Sequence, residues 1–125
     1  IEPVFSLQQE RTVLDGQKFQ EVNGGFKTLL KRYGVNRRDE LPGSIARCCR
    51  TAQEIAPTDH VRMQAAVQEH VDNAVSKTVN LPNNASVDDI VDIFHLAHTL
   101  GCKGVTVYRD GSREEQVLNC VECEI

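Results

Sequence analysis

The stretch from Ser76 to Arg109 constrains the fold more than any other part of the chain. Ser76-Lys77-Thr78-Val79-Asn80-Leu81 is rich in strand formers and is stopped by Pro82. After the loop Asn83-Asn84, Ser86 is placed to cap a helix, with Asp89 three residues on as an acidic variant of the capping box. Val87, Ile90, Val91, Phe94, Ala97 and Leu100 predict a wide apolar stripe along that helix, and Gly101 is placed to close it. A second strand, Gly104-Val105-Thr106-Val107-Tyr108-Arg109, follows at once and ends at Asp110-Gly111. Strand, helix and strand with short connections form a βαβ unit, which builds parallel sheet with a right-handed crossover. Parallel strands are covered on both faces, and 125 residues barely supply that cover. The pattern points to part of a larger α/β assembly.

The preceding half predicts smaller elements. Glu2 stands before Pro3 and is pushed out of the helical region, so Ile1 to Leu7 reads as extended. Asp15-Gly16 signals a turn between Arg11 and Lys18. Asn23 is the expected N-cap of a helix that runs to Tyr33 and closes at Gly34. Phe26, Leu29, Leu30 and Tyr33 share one face of it, and Gly24 and Gly25 weaken its first turn. Asn36 to Glu40 is a polar connection, and a short helix after Pro42-Gly43 carries Ile45, Ala46, Cys48 and Cys49. A third helix is expected from Thr58 as N-cap, with Asp59 favourable in its first turn, continuing through Met63, Ala66, Val67, His70 and Val71 as far as Ala74. There is no internal repeat and no low-complexity stretch.

Charge and composition exclude several classes. Fourteen Lys and Arg against 18 Asp and Glu give a net charge of −4, contrary to the basic face of an electrostatic nucleic-acid binder. No apolar run reaches the roughly 18–20 residues that a membrane-spanning helix needs. The first residue is Ile1, without a charged and apolar leader, and the only methionine is Met63, as expected of a processed chain or part of a longer protein. Five cysteines, two of them adjacent, make a poor disulfide framework and suit a reducing, cytoplasmic setting. Cys48, Cys49 and Cys102 read as small buried hydrophobes.

Candidate chemistry is sparse. Cys120-Val121-Glu122-Cys123 has the C-x-x-C spacing of a redox pair or of half a metal site. A tetrahedral zinc site needs four ligands, and no second pair is correctly spaced. A dithiol pair and a tail without a role both fit. His60, His70, His95 and His98 form no ligand set and read as surface or packing histidines. Asp88, Asp89 and Asp92 are explained by the positive end of the helix. Lys77, between Ser76 and Thr78, either points into a site or sits at a strand end on the surface. No phosphate-cradling glycine loop is present.

Three stretches resemble a known family. Ile1-Glu2-Pro3-Val4-Phe5 is similar to the segment that follows the phosphate-binding loop in adenosylcobalamin-dependent, class II ribonucleotide reductases. Arg62-Met63-Gln64-Ala65-Ala66-Val67-Gln68 with Asp72-Asn73-Ala74-Val75-Ser76-Lys77-Thr78-Val79-Asn80-Leu81-Pro82 resembles that family's strand near the end of its barrel. Gly101-Cys102-Lys103-Gly104-Val105-Thr106-Val107-Tyr108-Arg109-Asp110-Gly111-Ser112-Arg113 resembles its last barrel strand, and Glu115-Gln116-Val117-Leu118 continues the likeness. The resemblance covers residues 1–118 and leaves 119–125 as a cysteine-containing tail.

The resemblance implies an α/β fold, the C-terminal portion of the ten-stranded barrel of ribonucleotide reductases, incomplete on its own. It implies a part in reducing ribonucleoside di- or triphosphates to deoxyribonucleotides by a thiyl radical, with adenosylcobalamin as the radical source in the complete enzyme. The implied partners are the rest of the barrel and a thioredoxin-type reductant, and full-length members of the family can dimerise. The alternative is a non-catalytic thiol or metal module built on the C-x-x-C tail. Class I relatives carry adjacent tyrosines for radical transfer where this chain has Thr106 and Val107, which favours class II. The family's thiyl cysteine, active-site cysteine pair and phosphate loop are expected upstream of Ile1. Cys120 and Cys123 are candidates for the C-terminal relay pair. Glu2, Pro3, Ser76, Lys77, Thr106 and Val107 are placed by the resemblance near substrate or cofactor. Gly24 stands where the family often has proline.

Overall fold

The computed structural model describes residues 1–12, 18–112 and 118–120. The chain divides into two compact units, one of Pro3–Ala52 with the strand Leu118–Cys120, the other of Ile1–Glu2 with Gln53–Glu114.

The first unit is a small antiparallel sheet with two helices. Strand β1 (Gln8–Thr12) pairs antiparallel with β2 (Lys18–Val22), from Gln8 opposite Val22 to Thr12 opposite Lys18. The expected Asp15-Gly16 turn lies outside the described residues. Val4 and Phe5, good strand formers, stay outside the sheet, although the Val4 carbonyl accepts the Ala52 N–H. Helix α1 (Gly24–Tyr33) starts and stops as its sequence predicts. Asn23 Oδ1 accepts the Phe26 N–H at 3.0 Å, and Gly34 closes the helix at φ 66°, where a side chain would be strained. Phe26 and Leu30 are buried with Leu7 and Leu41, and Leu29 packs against them; Tyr33 is exposed.

Helix α2 (Gly43–Ala46) is a single turn after Pro42. Cys49 packs against the Leu7–Phe26 core, but Cys48 is exposed, contrary to the expectation of burial. The helix ends at Ala46, short of both cysteines that the sequence places on it, and Cys48 faces solvent beyond its end, its thiol donating to the Ser44 carbonyl. Strand β5 (Leu118–Cys120) pairs antiparallel with β1, so the sheet order is β2-β1-β5.

The second unit is the βαβ crossover. Strand β3 (Thr78–Leu81) and strand β4 (Thr106–Arg109) are parallel, with Thr78 opposite Thr106, Val79 opposite Val107 and Asn80 opposite Tyr108. Helix α4 (Val87–Thr99) connects them. Its capping box is complete: Ser86 Oγ accepts the Asp89 N–H at 3.1 Å, and Asp89 Oδ2 accepts the Ser86 N–H at 2.7 Å. Gly101 follows at φ 73°. The single stripe expected on α4 is two. Ile93, Leu96 and Ala97 pack with Val61, Val79 and Val107 into the core, whereas Val87, Val91, Phe94 and Leu100 are exposed.

Helix α3 (Pro57–Gln68) departs further from its sequence reading. It begins one residue ahead of Thr58, with Ala56 as N-cap and Pro57 at the first helical position, where a missing N–H costs nothing. Its buried side is His60, Val61, Gln64, Ala65 and Gln68; Met63 and Ala66 are exposed, and His70, Val71 and Ala74 lie beyond its end. Polar side chains are buried there because loop backbone consumes them. Gln64 Nε2 donates to the Val75 carbonyl at 3.0 Å and to the Gly104 carbonyl at 2.6 Å. Gln68 Nε2 donates to Val71 and Asn73, and its Oε1 accepts the Val75 N–H. A buried carbonyl without a donor costs about 1–3 kcal/mol, enough to outweigh an apolar choice at these positions.

The same contacts shorten both strands. The sequence predicts strands from Ser76 and from Gly104, yet the ladder begins at Thr78 and Thr106. The carbonyls of Val75 and Gly104 accept from one glutamine side chain instead of from strand N–H groups.

Candidate functional site

The approach to β3 and β4 forms a cleft of about 250 Å³, lined by Ala74, Val75, Ser76, Lys77, Gly104, Val105 and Thr106. Gln64 ties its two walls together from below through Val75 and Gly104. Three residues grouped by the family resemblance, Ser76, Lys77 and Thr106, therefore meet at one place.

Lys77 is not a surface lysine: it is 2% exposed. Its ammonium lies 2.8 Å from His60 Nδ1 and donates to Glu2 Oε2 and to the Thr78 carbonyl, each at 3.2 Å. An ammonium has three protons and no lone pair, so these contacts engage it fully and make His60 Nδ1 the acceptor. The other oxygen of Glu2 accepts the Thr78 N–H at 2.7 Å. Glu2 thus holds the start of β3 through both backbone and side chain. His60, read from sequence as a surface or packing histidine, is a buried polar partner of Lys77. Its seventeen-residue separation from Lys77 left no local signal.

The two faces of the β3–β4 pair differ. Val79 and Val107 turn into the core beneath α3 and α4. Val107, one of the residues grouped by resemblance, lines no part of the cleft. On the opposite face stand Thr78, Asn80, Thr106 and Tyr108, all polar and all at least partly exposed. Pro3, the remaining member of that group, belongs to the other unit.

Other candidates are dispersed. His70, His95 and His98 are exposed. Among the described residues, no three His, Cys, Asp or Glu side chains gather as a metal-binding group. Cys120 lies in β5, paired with Gln9; Cys123 lies outside the described residues. Cys102 is half-buried beside the crossover core, and burial pushes its thiol pKa up, away from the reactive thiolate. The Ser86 backbone and hydroxyl hold the Asp89 carboxyl below the usual range, a capping effect and not a catalytic one. No helix among the described residues is long and apolar enough to cross a membrane.

A parallel βαβ crossover with helices on one strand face and polar groups on the other is a segment of an α/β barrel or sheet. The family model of the ribonucleotide reductase barrel domain matches residues 1–108, and the chain belongs to that family. It is 45% identical to a vitamin B12-dependent ribonucleoside-diphosphate reductase of Mycobacterium tuberculosis, over 95% of this chain and 19% of the relative. It is 36% identical to the protein of that name from Thermoplasma acidophilum, over 99% of this chain and 18% of the relative. A vitamin B12-dependent ribonucleotide reductase of Rhodopirellula baltica is 43% identical over 95% of this chain and 14% of its own length. The chain thus spans less than a fifth of each of these relatives, and its open two-stranded parallel sheet is that of an incomplete barrel.

Proposed function

We propose that this chain is the C-terminal barrel portion of a vitamin B12-dependent ribonucleoside-diphosphate reductase. The complete enzyme reduces ribonucleotides to deoxyribonucleotides by thiyl-radical chemistry. The supporting observation is the likeness over 95% or more of the chain to reductases whose names carry both the cofactor and the diphosphate substrate. It favours the barrel reading over a separate thiol or metal module at Cys120 and Cys123.

The part played by these residues is architectural first. Lys77 and Glu2 fix the beginning of β3, Gln64 fixes the approach to both strands, and α4 backs the pair. The uncharged row Thr78, Asn80, Thr106 and Tyr108 fits a cofactor or substrate that presents hydroxyl and amide groups. Adenosylcobalamin, when bound, supplies the radical by homolysis of its cobalt–carbon bond; the barrel supplies position and shelter from solvent. In this reading Cys120 and Cys123 relay electrons from a thioredoxin-type reductant, the complete enzyme is a cytoplasmic protein, and self-association is a property of the full-length chain.

The test uses an antibody raised to residues 101–113 to capture the native polypeptide from its source cells. The expected product is several times heavier than 125 residues and forms deoxyribonucleotides with adenosylcobalamin and a dithiol. Capture of a polypeptide of this size alone, with no reductase chain beside it, would refute the reading.

A further inference from the structure

Cys48 and Cys49 are neighbours in the chain, both are free thiols, and Cys48 is exposed, which is uncommon for a residue type so often buried. The backbone keeps them in a helical turn: the Cys48 N–H donates to the Ile45 carbonyl at 2.9 Å and the Cys49 N–H to the Ala46 carbonyl at 3.0 Å. In a strand, adjacent side chains point to opposite faces; in a helical turn they stand only about 100° apart. Both thiols also turn the same way. Cys48 Sγ donates to the Ser44 carbonyl at 3.4 Å and Cys49 Sγ to the Ile45 carbonyl at 3.5 Å, so the two sulfurs run back along one turn toward consecutive carbonyls. These are weak bonds of a weak donor, readily given up to a ligand.

The pair is ill suited to closing on itself. Neighbouring Cα atoms are about 3.8 Å apart across a trans peptide, and a relaxed disulfide spans about 4.4–6.8 Å between them. An atom placed between the two sulfurs relieves that constraint. The surroundings narrow what the atom is. No Asp, Glu or His stands between Leu41 and Gln53, and the exposed Arg47 and Arg50 flank the thiols, so a hard divalent cation finds neither oxygen ligands nor a favourable field. Zinc takes four ligands, and among the described residues no third His, Cys, Asp or Glu joins the pair. A trivalent metalloid that carries one organic group needs two sulfurs and no more.

We propose that Cys48 and Cys49 form a bidentate site for a soft, thiol-seeking trivalent metalloid, with an organoarsenical as its simplest ligand. With phenylarsine oxide, two As–S bonds replace the arsenic–oxygen double bond. The two thiol protons leave with that oxygen as one water, and arsenic stays trivalent, so no oxidant or reductant is required. Cys49 packs against the Leu7–Phe26 core, which anchors one end of the chelate, while exposed Cys48 receives the ligand from solvent.

The experiment uses the reduced full-length protein, treated with phenylarsine oxide and then alkylated in the folded state. Cleavage after Glu40 and Glu54 isolates residues 41–54, so thiols elsewhere do not enter the reading. Mass spectrometry follows the alkylation of each cysteine in that peptide. The arsenical is expected to slow alkylation of Cys48 at least about tenfold, since the second thiol binds at a high effective concentration. A small dithiol should reverse the protection, and the same concentration of a monothiol should not. Cys49→Ser should remove the protection of Cys48. Cys48→Ser, which leaves the core untouched, should likewise remove the protection of Cys49, so the pair is tested even if Cys49→Ser folds badly. Unchanged alkylation of wild-type Cys48, or protection that survives Cys48→Ser, would overturn the proposal.

Discussion

Lys77 Nζ lies 2.8 Å from His60 Nδ1, and both residues are buried to within 2% of full enclosure. A charged ammonium needs that nitrogen to accept, so the histidine carries its proton on Nε2. The pair sits where β3 begins, and Glu2, about half exposed, completes it from the far end of the sequence.

Replacing Lys77 by Met should therefore cost more than replacing Glu2 by Gln. Lys77→Met leaves a buried histidine nitrogen without its donor and is expected to cost about 1–3 kcal/mol. Glu2→Gln retains an oxygen for the Thr78 N–H and keeps much of the clip. Denaturant unfolding of the full-length protein and its two variants measures the order, and equal losses would contradict it.

Gln64 is the other local keystone of the cleft. Gln64→Leu preserves volume but strips donors from the Val75 and Gly104 carbonyls, for an expected loss of about 1–3 kcal/mol. Gln64→Glu should be at least as damaging, since a carboxylate cannot donate to either. Thermal unfolding of the two variants provides the comparison.

Helix α4 should show an acid-side dependence through its cap. The Asp89 pKa is lowered in the fold by Ser86, so its contribution is complete above the ordinary carboxylate range and fades as pH falls through the lowered value. Asp89→Asn is expected to flatten that part of the stability–pH curve. Ser86→Ala should cost about 1 kcal/mol at neutral pH. Unfolding curves from pH 7 down to about pH 2 cover the relevant window.

The thiols should differ in reactivity. In the 125-residue chain at mildly alkaline pH, exposed Cys48 is expected to alkylate several-fold faster than Cys102, whose thiol is half-buried and raised in pKa. Peptide mass mapping over time follows both. In the full-length enzyme, paired Cys120→Ser and Cys123→Ser substitutions should abolish turnover with a thioredoxin-type reductant and spare turnover with a small dithiol.

The sequence was most informative where a local signal sufficed. The Asn23 and Gly34 ends of α1, the Ser86–Asp89 box and the βαβ order all follow from spacing within a few residues. It was least informative where partners are distant. Gln64 meets Gly104 across forty positions and Lys77 meets Glu2 across seventy-five, so neither the buried side of α3 nor the late start of the strands had a local signature. The α4 stripe was drawn too wide because Val87, Val91 and Phe94 are apolar without belonging to this core. Of the residues the resemblance grouped, Ser76, Lys77 and Thr106 line one cleft, while the burial of His60 against Lys77 had no local signal in the sequence.

The central claim is tested most directly by product formation in the full-length protein. Purified enzyme is supplied with a ribonucleoside diphosphate and a dithiol, with and without adenosylcobalamin, and deoxyribonucleotide is quantified by chromatography. The account predicts deoxyribonucleotide only when the cofactor is present. Equal product without adenosylcobalamin, or none from folded enzyme that has bound it, would contradict the account.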